Sequence, residues 1–116
     1  MVKIYTITSD NKVYNFGFKV VTNELKSLGL RRNPNILQYS PGEWYFLSSS
    51  QIMEGKNDWG GIWVARTISK AKALKKYMKE KHSKEARIFE TLFDEVLYSN
   101  DYRIKTNGIY MLEEIL

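Results

Sequence analysis

The chain has no cysteine, a single histidine and only two prolines among its 116 residues. Without cysteine there are no disulfides, no thiolate metal sites and no cysteine nucleophile. One histidine, His82, cannot form a histidine pair on a metal, and it has no nucleophile-elbow motif to serve as a Ser-His-Asp base. Phosphate-loop patterns are missing as well: Gly60-Gly61 runs on into Ile62-Trp63, with no Lys-Ser or Lys-Thr pair opening a helix. No apolar run approaches the ~20 residues that span a bilayer. The N-terminus, Met1-Val2-Lys3-Ile4-Tyr5, alternates like a strand and carries no apolar leader core. These absences set the expectation of a cytoplasmic protein (of the host cell, if virus-borne) with no membrane partner, no catalytic residue, no metal and no cofactor.

What is present is charge of one sign, unevenly spread. Residues 1–82 carry fourteen Lys/Arg against six Asp/Glu, whereas residues 83–116 carry four against seven. The densest positive block is Lys70, Lys72, Lys75, Lys76, Lys79 and Lys81. Such a face favours polyanions or acidic protein surfaces. Apolar residues make up 43% and aromatics 14%, enough for one packed core, and no linker or repeat divides the chain. The expectation is a single domain, 1–116.

Alternation and turn residues outline the elements. Ser9-Asp10-Asn11 separates strands Val2–Thr8 and Lys12–Val21. In the second, Tyr14, Phe16, Phe18 and Val20 share one face and Asn15, Gly17 and Lys19 the other. Gly17 inside that run signals a bulge or a close backbone approach. A short helix over about 22–30, ended by Gly29, is a second helical candidate. Further strands are read at Ile36–Tyr39, Trp44–Ile52, Ile62–Arg66, Ala86–Leu92, Glu95–Tyr98, Tyr102–Thr106 and Ile109–Ile115. Asn107-Gly108, between the last two, is the strongest short hairpin signal in the chain. Ser69 reads as the cap of the main helix, about 69–82, whose apolar stripe is Ala71, Leu74, Tyr77 and Met78. The fold class is therefore α+β: a mostly antiparallel twisted sheet of about six or seven strands with the main helix packed on it.

Two groups of residues are candidates for binding. Lys72, Lys75, Lys76 and Lys79 supply electrostatics along the helix, where a plain solvated face is the competing reading. Arg31, Arg32 and Arg66, with Trp44, Tyr45, Trp59 and Trp63, form a set able to stack on unpaired bases; Trp59, in a polar glycine-bearing loop, is the most contact-like of them. Trp63, between Ile62 and Val64, reads as core. Carboxylate pairs such as Glu113-Glu114 point to opposite faces of a strand and do not share a site.

The running order Tyr39-Ser40-Pro41-Gly42-Glu43-Trp44, Gly61-Ile62-Trp63-Val64, Ser69-Lys70-Ala71 and Ile88-Phe89-Glu90 resembles small proteins of phages and other mobile elements. That resemblance implies a non-enzymatic viral accessory role: docking through the basic helix and aromatic loop on the acidic surface of a host nucleic-acid-handling or defence complex, in the manner of an anti-CRISPR inhibitor. Direct, largely sequence-independent nucleic-acid binding is the alternative, and a homo-oligomer is open through an edge strand. A second resemblance, in Tyr45-Phe46-Leu47-Ser48-Ser49-Ser50 and the late Glu113 or Glu114, is to the ADP-ribosyltransferase superfamily. It implies a transferase, although Lys3-Ile4-Tyr5-Thr6-Ile7 lacks the arginine or histidine that family uses to hold its dinucleotide.

Overall fold

Alternating sequence and one amphipathic segment resolve into eight antiparallel strands and one long helix in the computed structural model, which describes residues 4–28, 36–57 and 59–116. The strands are β1 (Thr6–Ser9), β2 (Lys12–Thr22), β3 (Trp44–Phe46), β4 (Ile62–Ala65), β5 (Ala86–Phe93), β6 (Val96–Ser99), β7 (Arg103–Thr106) and β8 (Gly108–Ile115), with α1 (Ile68–His82) between β4 and β5. The class is α+β, as the patterning predicts. The order across the sheet is β3-β8-β5-β2-β4-β7-β6, with β1 paired on β2.

The first hairpin forms where expected, with Asp10 and Asn11 both at positive φ as a tight hairpin turn demands. The second does not. Asn107-Gly108 joins β7 to β8, yet these strands pair with different neighbours, β7 with β4 and β6, β8 with β3 and β5. Asn107 is a corner instead. Its Oδ1 accepts from Glu95 N at 2.8 Å, its carbonyl accepts from Leu47 N at 2.9 Å, and its Nδ2 donates to Asp94 at 3.0 Å. A mirrored corner lies at Asp94-Glu95, so the β5–β8 ladder continues round the bend as β6–β7. With β5 on β2, β2 on β4 and β4 on β7, the ladders close a circuit and the sheet has an inside.

That inside holds one core: Val21, Tyr39, Ile62, Val64, Phe89, Phe93, Ile104, Ile109 and Met111. A second, smaller core of Val20, Ala65, Ala71, Ala86 and Ile88 lies between the sheet and α1. Gly17 is where the strands crowd. A Cβ there would stand 2.8 Å from the Ala65 carbonyl oxygen, so the close approach expected of this glycine is met.

Several boundaries move. The first strand begins at Thr6. Residues 23–28 form a turn and a lone bridge, Lys26 to Gln38, in place of a helix; Thr22 Oγ1, at the end of β2, accepts from Lys26 N and holds the bend. The remainder of that predicted helix lies outside the described residues. Ile36–Tyr39 reduces to the same bridge. The strand from Trp44 stops at Phe46, and Ser48 with Gln51 closes a capping box around a 3-10 turn at Ser49–Gln51. The main helix is capped by Thr67 rather than Ser69, the Thr67 side chain accepting from Lys70 N. Its far end closes on Ser83 in the left-handed region, with Ser83 N donating to Lys79 O and Lys84 N to Met78 O.

Candidate functional site

The site begins at a parting of strands. β2 and β4 share one register pair, Phe18 with Ala65. Beyond it they diverge, and Lys19 Nζ donates to the Trp63 carbonyl at 2.8 Å. The divergence opens a cleft of about 1060 Å³ between α1, β4, the β6–β7 turn and the 27–28 and 37–39 segments.

Its walls combine flat rings with cations. From α1 come Lys70, Tyr77 and His82; from β4, Trp63; from the β6–β7 region, Tyr98, Tyr102 and Arg103; Lys56 and Lys84 also line it. The Arg103 guanidinium lies 3.7 Å from the Trp63 ring centre, and Tyr98 meets that ring edge-on. Lys70 Nζ stands 4.4 Å over the Tyr102 ring and donates to Asp101 O at 2.6 Å. Tyr102 is 68% exposed and Tyr77 46% exposed, so both side chains reach solvent. Among the described residues no aspartate or glutamate lines the cleft.

Lys19 lies at the floor, 6% exposed. Burial lowers its pKa to about 8, because the charged form has lost its water. The Tyr39 ring is 5.3 Å from its Nζ. Burial pushes Tyr39 up to about 12 against a hydrogen bond with Ser27, so it stays a neutral phenol.

The candidates named from sequence fall in different places. Lys72, Lys75, Lys76 and Lys79 come together around a shallow depression of about 270 Å³ on the outward side of α1, away from the cleft. Glutamates temper two of them: Lys79 pairs with Glu85 at 2.9 Å, which raises the lysine pKa and lowers that of the glutamate, and Lys76 lies 3.8 Å from Glu80. Trp59 is 47% exposed on its loop, next to Gly60, which lines the cleft. Arg66 is buried, 3% exposed, with Nη1 donating to Asn100 O and its backbone N to Tyr102 O. Arg31 and Arg32 lie outside the described residues. Trp44 and Tyr45 sit on β3, Trp44 stacking on Phe46 at 5.2 Å, far along the sheet order from β4. Glu114 is held in a two-point bridge by Arg87, at 2.7 and 3.0 Å, which lowers its pKa; Glu113 is exposed, and neither lines the cleft.

Lys19, Tyr98, Tyr102 and Arg103 carry no local sequence signal for a site, and Trp63, between Ile62 and Val64, has the pattern of a core residue. Alternation puts Lys19 on the polar side of β2. Only the rolling of the sheet makes that side an interior. Among the described residues no helix is long and apolar enough to cross a membrane, and no cluster of His, Asp and Glu is arranged to hold a metal ion. Comparison with protein-family models, curated proteins and solved structures finds no match to the chain.

Proposed function

We propose that this protein is a non-enzymatic binding module for single-stranded nucleic acid, engaged without sequence readout at the cleft beside α1. One observation carries the reading: Trp63, Tyr77, Tyr98 and Tyr102 share walls with Lys56, Lys70, Lys84 and Arg103, and no described carboxylate intervenes. Cations neutralise phosphates and release counterions, while exposed rings accept unpaired bases at about 1–3 kcal/mol per base. The outward lysines of α1 extend the positive field and steer approach. Fluorescence anisotropy with single- and double-stranded DNA and RNA over a salt series is the test. Tight single-strand binding whose log affinity falls linearly with log salt supports the reading, and no binding at low salt ends it.

A second reading rests on the depression lined by Lys72, Lys75, Lys76 and Lys79 with Glu80 and Glu85, which is separate from the cleft. An acidic protein surface fits it, as expected of a mobile-element accessory protein acting on a host nucleic-acid complex. Reversing those four charges abolishes capture of an acidic protein on this reading, whereas on the first it slows strand association and leaves the cleft contacts in place.

A further inference from the structure

Lys19 is a buried amine with an unusual set of neighbours. Its one described hydrogen bond goes to a neutral carbonyl, that of Trp63. The groups facing it are Tyr39 from the 37–39 segment, with Ser27 on the phenol, and Trp63 from β4. Tyr45, from β3, packs edge-on against Tyr39 at 5.6 Å. Among the described residues the charged or titratable groups sharing the cleft are Lys56, Lys70, His82, Lys84 and Arg103 with the phenols of Tyr77, Tyr98 and Tyr102, and Lys105 Nζ lies 6.0 Å from the Trp63 ring centre. None of these is a carboxylate. An ammonium has three donors and a buried one is costly without an anion, and among the described residues no carboxylate lines the cleft to meet it.

We infer that Lys19 anchors a terminal phosphate monoester, the cleft taking the phosphorylated end of a strand and stacking its last base among Trp63, Tyr98 and Tyr102. The inference rests on the strand-binding reading and adds which part of the strand enters. Depth selects the end: an internal phosphodiester has chain leaving on both sides and is met at the rim, whereas a chain end reaches a floor residue that is 6% exposed. Charge selects the monoester, which carries about −1.5 to −2 at neutral pH against −1 for a diester. The lowered pKa of Lys19 adds a signature, since a dianion beside the amine restores its proton. Binding above pH 8 therefore takes up a proton.

The experiment uses one short single-stranded DNA in three forms: both ends hydroxyl, 5′-phosphate and 3′-phosphate. A phosphorylated form binding about tenfold tighter than the hydroxyl form is expected, from one charge-assisted hydrogen bond at a buried site. The form that gains identifies the end. In Lys19→Met, whose fold is checked by circular dichroism, the ratio of the two affinities falls to about one. Calorimetry of the unmodified protein near pH 8.5, in two buffers of different ionisation enthalpy, reads the proton uptake without any variant. Equal affinity of all three forms overturns the inference and leaves strand binding standing. No proton uptake, or a phosphate preference that survives Lys19→Met, also overturns it. Failure of every form to bind removes both readings together.

Discussion

Gly17 of β2 faces the Ala65 carbonyl so closely that a Cβ would lie 2.8 Å from the oxygen, with the Phe93 ring 3.4 Å away on the other side. Among the described residues the neighbouring pair, Phe18 with Ala65, is the only register pair between these strands. Backbone on one side and a buried ring on the other leave no room to give. Gly17→Ala is expected to destabilise the protein by about 1–3 kcal/mol, read as a lower denaturation midpoint. An unchanged midpoint would mean that the β2–β4 seam tolerates separation.

Ser83 occupies the left-handed position that ends α1, at φ 54°. A residue with a Cβ pays there for a conformation that glycine adopts freely. Ser83→Gly should stabilise the fold by about 1 kcal/mol, since the left-handed cost is ~1–2 kcal/mol and glycine's extra unfolded-state entropy offsets part of it. Thermal and denaturant melts check the sign.

Lys19 links stability to pH. Its folded pKa of about 8 lies below its ordinary 10.5, so between these values the unfolded chain binds more protons than the folded one. Stability from this group therefore rises with pH from about 8 and levels off near 10.5. The full excursion is on the order of 3 kcal/mol. Tyr39 acts oppositely at higher pH, as its folded pKa of about 12 lies above its ordinary 10.0. Lys19→Met should flatten the rise between pH 8 and 10, measured as the difference in unfolding free energy between variant and parent. Parallel profiles would show that the amine is not desolvated.

Glu114 works in the acid range. Its bridge to Arg87 holds the carboxyl below the ordinary 4.5, so its contribution is present above that value and is lost as pH falls through the folded pKa. Glu114→Gln should lose stability at neutral pH and show a shallower fall below about pH 4.5 than the parent. Both side chains are partly exposed, which keeps the effect small.

Lys70 and Lys79 distinguish the two cationic surfaces. Lys70 lies over Tyr102 in the cleft, whereas Lys79 is already committed to Glu85 on the outward side. Lys70→Ala with Tyr102→Ala should weaken strand binding at least tenfold, given about 1–3 kcal/mol per stacked base. Lys79→Ala should change it less than twofold, as is usual for a screened surface ion pair. The reverse ranking would move the strand to the lysine depression.

Local chemistry was sufficient for much of this. Thr67 through His82 carry a helix's apolar spacing, Asp10-Asn11 turn a hairpin, and charge concentrates on α1, because each depends on residues within one or two turns of one another. The same local reading failed at Asn107-Gly108. That dipeptide makes a hairpin only if its flanking strands pair, and here β4 and β5 claim them first. It failed also at Lys19, since alternation assigns a residue to a face and says nothing of whether the sheet rolls that face inward. The class of the fold and the excess of positive charge were thus decided by composition and short-range periodicity. The corner at Asn107, the parting of β2 from β4 and the cleft between them were decided by long-range pairing, which no single segment encodes.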